Sequence, residues 1–127
     1  HDMWSCPGGE PQIQDYLSLF LTAVNEGKLS LDTLVRISSY NAAKIFNVYP
    51  RKGVLLPGSD ADMVIVDMNK EEVISNDTTY TKVGWTPYDG RRVKGVPIRT
   101  ILRGKTVMEN GKITGTPGDG EHVKPLG

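Results

Sequence analysis

The sequence holds one cysteine, two histidines and no excess of either charge among 127 residues, and each scarcity removes a class of function. A lone Cys6 cannot close an internal disulfide, and nothing else argues for an oxidising compartment. His1 and His122 stand at opposite ends with no partner at ligand spacing, whereas a hydrolytic zinc site takes about three protein ligands, usually including several His. The same gap removes Cys6 as a nucleophile, because no His lies near it in sequence. Lys plus Arg number 15 and Asp plus Glu number 15, so no long-range field draws the chain to nucleic acid or to an acidic membrane. Apolar runs are short: none approaches the roughly 18 residues of a membrane span, and the first residues lack the basic and apolar regions of a signal peptide. These features suggest a cytoplasmic protein with small or neutral partners. No Met stands at position 1, and His1-Asp2-Met3-Trp4 reads as the middle of a longer chain or as a tag scar.

What is present divides the chain in two. Ile13, Tyr16, Leu17, Phe20, Leu21 and Val24 recur at helical spacing and Gly27 follows, which predicts an amphipathic helix over 12–26. Ser30 is a fitting N-cap for a helix from Leu31 to about Ser39, with Asp32 near the positive end of its dipole. Asn41 is a further cap candidate, opening a short helix over 42–46. Tyr49-Pro50-Arg51-Lys52-Gly53 marks the boundary, and Arg51 with Lys52 reads either as an anion site or as a solvated turn. Beyond it the pattern predicts short strands at 54–56, 63–67 and 73–74, the last after a polar turn at Met68-Asn69-Lys70. Residues 75–97 read as a long connection of the kind kept for function or for contact with another surface, with Trp85 and Tyr88 needing burial. Two hairpin signals, Gly104-Lys105 and Asn110-Gly111, then predict a three-stranded meander from Ile98 onward. The tail 117–127 has no period and either wanders in solvent or lies across another subunit.

The stretch Pro57-Gly58-Ser59-Asp60-Ala61-Asp62 leads into the apolar run Met63 to Val66, which suits a strand covered on both faces. Its acidic side chains could hold a cation or could stabilise their own turn, and the turn is the stronger reading.

The helices precede the strands without βαβ alternation, so the stripe of residues 13–24 must pack on the strand region or on a part of a larger fold. A resemblance becomes specific at this point. Pro7-Gly8-Gly9 with a helix following, Asn41-Ala42-Ala43-Lys44-Ile45-Phe46, Tyr49 to Gly53, Gly58 to Asp62 with its strand, Thr86-Pro87-Tyr88-Asp89-Gly90, Val93-Lys94-Gly95-Val96-Pro97 and Gly118-Asp119-Gly120-Glu121 resemble the C-terminal part of the cyclic amidohydrolases. The likeness is greatest to the dihydropyrimidinase and hydantoinase group, with allantoinase and dihydroorotase as near relatives.

The resemblance implies an α+β fragment: the last helices of a TIM barrel (residues 1–49), the C-terminal strands of a small β-sandwich (50–115) and an extended tail (116–127). It implies a parent enzyme that opens a cyclic amide by attack of a metal-bridging hydroxide at a binuclear zinc site, with ligands that all lie upstream of the matched region. Asp2 stands too close to the glycines to match the family's last Asp ligand. No catalytic residue and no metal ligand is therefore expected in this chain, which alone should be inactive. Gly8, Gly9 and Glu10 match a loop that lines the substrate pocket in the family, although Cys6 and Pro7 stand where many relatives carry Asn just before the glycines. The implied partners are the missing N-terminal barrel portion, the cyclic amide of the parent and further copies in a homo-oligomer. Two other readings stay open: a non-catalytic dihydropyrimidinase-like scaffold, and a self-sufficient small domain.

Overall fold

A computed structural model describes residues 9–126. Helix α1 spans Tyr16–Asn25. A second helical segment runs as α2 (Leu31–Val35), a π-helical turn (Arg36–Tyr40) and α3 (Asn41–Ile45). Four strands follow, β1 (Met63–Val73), β2 (Arg92–Leu102), β3 (Lys105–Glu109) and β4 (Lys112–Ile113), in one antiparallel sheet of order β1-β2-β3-β4.

Local chemistry accounts for several of these elements. Ser30 caps α2 as expected, its Oγ accepting from the Thr33 amide at 3.1 Å and satisfying one of the free donors of the first turn. Asn110 and Gly111 both take positive φ, 48° and 77°, which closes β3 onto β4 in the turn that strand twist favours.

Other expectations need correction. Asn41 caps nothing, because the chain stays helical through Tyr40 and Asn41. The π turn lies where Ser38 donates its hydroxyl to the Leu34 carbonyl at 2.7 Å, a back-bond that disturbs the helical ladder. Residues 54–56 form no strand. Met68-Asn69-Lys70 is no turn between strands; it is a bulge inside β1, opposite Gly95, with Asp67 Oδ1 accepting from the Asn69 and Lys70 amides at 2.9 and 3.1 Å. β2 begins at Arg92, inside the expected connection, and its hairpin turns at Arg103-Gly104, one residue earlier than expected. The tail returns to its own chain: the Leu126 amide donates to the Asn47 carbonyl at 2.7 Å.

The core is small: part of it sits between α1 and β2 and part within the second helical segment. Leu21, Leu34, Ala43, Val93 and Val96 are its buried apolar residues among those described. Gly95 permits the contact, since at φ +96° a Cβ there would stand 2.7 Å from Leu21 Cβ. α1 also supplies the hydrogen bonds that the bulge breaks. Lys94 N–H donates to Thr22 Oγ1 at 2.9 Å, and Asn25 Nδ2 donates to the Lys94 and Met68 carbonyls, both at 3.0 Å. Polar backbone left open by the irregular strand is thereby satisfied by the helix. The apolar run of β1 is not covered on both faces within this chain, because Val64 and Ile65 stay exposed.

Candidate functional site

The loop ahead of α1 carries the residues expected to face substrate. Gly8 lies outside the described residues. Gly9 and Glu10 are both exposed. Gly9 has φ +86° with open space where a Cβ would stand, so backbone can approach a ligand closely there. The Glu10 carbonyl accepts from the Gln12 amide at 3.1 Å, and its carboxylate accepts from Gln12 Nε2.

The long 75–91 segment folds over this end of α1. Thr86 and Asp15 are the buried polar residues among those described, and the Thr86 hydroxyl donates to Asp15 Oδ2. Gln14 Nε2 donates to the Thr78 carbonyl at 3.0 Å, its Oε1 accepts from the Tyr80 amide at 2.7 Å, and Tyr88 donates its hydroxyl to Gln12 Oε1 at 3.3 Å. Tyr88 is half-buried, with the Arg91 guanidinium over its ring, whereas Trp85 remains exposed. The connection read as a contact surface thus contacts the candidate loop's own helix. Nothing local in sequence joins Asp15 to a residue 71 positions later.

The acidic stretch before β1 holds structure. Lys52 Nζ pairs with Asp60 Oδ2 at 2.8 Å and with Asp62, while Arg51 Nε reaches Asp60 Oδ2 at 3.1 Å. Asp62 Oδ1 accepts from the Arg103 amide at 2.8 Å, and Ser59 donates its hydroxyl to the Pro50 carbonyl at 2.7 Å. The Lys52 hydrogen bond holds the Asp60 carboxyl below the usual carboxylate range, with Arg51 adding to it against the cost of burial. Burial works against the Lys52 ammonium, but the hydrogen bonds it donates to Asp60 and Asp62 outweigh it and raise its pKa. Neither an anion site at Arg51 and Lys52 nor a cation site at the two aspartates remains free. Asp119 is likewise drawn down, first by Lys105 at 2.6 Å and then by the Thr116 amide.

No group of three His, Cys, Asp or Glu among the described residues could hold a metal ion. The donor set of a binuclear zinc site is not met by these residues, whose acidic pair is already bound to Lys52. No helix among them is long and apolar enough to cross a membrane.

Helix α1 laid against a four-stranded antiparallel sheet, with a second helical segment beside it and a glycine loop ahead of α1, makes an α+β unit, and comparison with known proteins assigns its family. The sequence profile of the Amidohydrolase family matches residues 12–107, and the chain belongs to that family. It is 36% identical over 124 residues to a D-hydantoinase of Ralstonia pickettii, covering 98% of this chain and 27% of that protein. It is 45% identical over 119 residues to a dihydroorotase of Pyrococcus furiosus, covering 94% of this chain and 28% of the relative. Among solved structures, the L-hydantoinase (dihydropyrimidinase) of Arthrobacter aurescens superposes with a TM-score of 0.89 at 36% identity, covering 94% of this chain and 27% of that one. The chain therefore spans about a quarter of the length of the relatives it matches.

Proposed function

We propose that this chain is the C-terminal part of a hydrolase that opens cyclic amides of the hydantoin, dihydropyrimidine, allantoin or dihydroorotate type. The observation that carries the reading is that nearly all of this chain is similar to 27% of a D-hydantoinase, while the exposed apolar residues on and beside its helices, Ile13, Val35, Ile45 and Phe46 among them, call for a covering surface. In this reading residues 1–49 are the last helices of the barrel, 50–115 belong to the β-sandwich and 116–127 form the tail. Gly8, Gly9 and Glu10 line the substrate pocket, where exposed backbone next to glycine can grip the amide and carbonyl groups of a cyclic imide. The binuclear zinc site belongs to the rest of the parent, and so does the covering barrel portion.

The test is hydrolysis of hydantoin and of dihydrouracil by the longer protein that carries this chain, beside the 127-residue chain itself. Turnover by the former alone is expected. A longer protein that lacks a His-x-His pair and hydrolyses neither compound would instead support a scaffold that keeps the fold without the reaction.

A further inference from the structure

The motif Thr86-Pro87-Tyr88-Asp89-Gly90 has no task in the reaction as proposed above, yet its first residue is buried and bonded across the fold. Thr86 is 5% exposed and Asp15 8%. One hydroxyl does two things. It gives its single proton to the Asp15 carboxylate and accepts from the Tyr88 amide at 3.3 Å, which uses the hydroxyl as donor and acceptor together. The Thr86 amide in turn donates to Asn76 Oδ1 at 2.7 Å, and the Asn76 amide donates to Asp89 Oδ1 at 2.8 Å. The loop is thus closed on itself before it meets the helix.

Asp15 sits where the loop becomes helix. Its own amide and that of Tyr16 donate to the Gln12 carbonyl at 3.1 and 3.0 Å. The direction in which residues 9–12 leave α1 is therefore set at the residue that Thr86 grips, while Thr22 and Asn25 fix the other end of the helix to the bulge beside Gly95. A helix held at both ends cannot slide or turn, so the loop in front of it inherits a fixed position. A buried carboxylate that loses its donor carries a large penalty, which makes this contact sensitive to one hydroxyl.

We infer that Thr86 is a positioning residue that acts through Asp15 to hold the Gly9-Glu10 loop in place for substrate. The inference rests on the reading of that loop as part of the substrate pocket. Precise placement of binding groups governs substrate capture more than it governs the bond-breaking groups, which lie elsewhere in the parent. Thr86→Val keeps the shape and removes the hydroxyl; Thr86→Ser keeps the hydroxyl. In the 127-residue chain, amide exchange at Asp15 and Tyr16 is expected to rise about tenfold in Thr86→Val, with β2 and β3 amides unchanged and wild-type behaviour restored in Thr86→Ser. In the longer protein carrying this chain, Thr86→Val is expected to raise KM for hydantoin about tenfold with kcat within about twofold of wild type, and Thr86→Ser to restore KM. Unchanged exchange at Asp15 and Tyr16, a uniform rise across the sheet, or failure of Thr86→Ser to restore either readout would overturn the inference. Failure of the substrate-loop reading looks different: a Gly9→Val variant of the longer protein would then keep its KM for hydantoin.

Discussion

Lys52 Nζ lies 2.8 Å from Asp60 Oδ2 and pairs with Asp62 as well, so the Arg-Lys-Gly turn after the helices and the Gly-Ser-Asp-Ala-Asp turn before the sheet are one clasp. Both carboxylates are partly buried beside it, with Asp60 and Asp62 side chains 19% and 30% exposed. Replacing Lys52 by Met leaves two neighbouring carboxylates without their shared cation, and the urea midpoint is expected to fall further than in Lys28→Met, whose partner Glu26 is exposed. Equal midpoints would contradict the clasp.

The pH dependence follows from the same contacts. Asp60 has its folded pKa lowered, first by Lys52, so its contribution is present above the ordinary Asp range, near 3.9, and is lost as pH falls through the folded value. Lys52 is raised, so its contribution is present below the ordinary Lys range and is lost as pH rises through the folded value. Unfolding at a series of pH values is expected to show a loss of stability on the acid side that Asp60→Asn flattens. An acid limb unaffected by Asp60→Asn would assign it to other carboxylates.

Gly95 tests the seat of α1 on the sheet. An alanine there combines φ +96° with a Cβ 2.7 Å from Leu21 Cβ, and should cost about 2–4 kcal/mol. Gly111→Ala, at φ +77° with nothing within 4 Å, should cost only about 1 kcal/mol. Chemical denaturation of the two variants checks the order, which would be reversed or absent if α1 did not rest on β2.

Thr22→Val leaves the Lys94 amide of the bulge without its acceptor. The bond is solvent-accessible, so its loss should cost only about 0.5–1.5 kcal/mol, and exchange at Lys94 is expected to rise while β3 amides keep their protection. Protection at Lys94 equal to wild type would show that another group takes the role.

Which parts of this fold could be read from sequence depends on how local their causes are. The Ser30 cap and the Asn110-Gly111 turn are set by residues within three positions of one another, and both are where the sequence puts them. The start of β2 is hidden because Gly95 and Pro97 break the strand pattern, and what stabilises it lies on α1: Thr22 and Asn25 supply the hydrogen bonds of the bulge. The Arg103-Gly104 turn gives little warning, since Arg103 takes φ 46° without being a residue that favours it. Of the candidate site, the motif marks a glycine loop, and Gly9 does take a positive φ of 86° there. The Asp15 to Thr86 contact was not, because only the closed fold brings the two together.

Ile13 and Ile45 are 96% and 78% exposed, and Phe46 and Leu55 are each 70% exposed. At about 25 cal/mol per Å² of apolar surface, water contact of this extent disfavours an isolated monomer. Light scattering on the 127-residue chain is expected to show mass rising with concentration. A constant monomer mass at high concentration would instead favour a self-sufficient domain.

The most direct measurement is hydantoin hydrolysis with zinc analysis on the 127-residue chain and on the longer protein that carries it. The proposed function predicts turnover and bound zinc in the longer protein, with neither in the chain alone. Stoichiometric zinc with turnover in the 127-residue chain would contradict it.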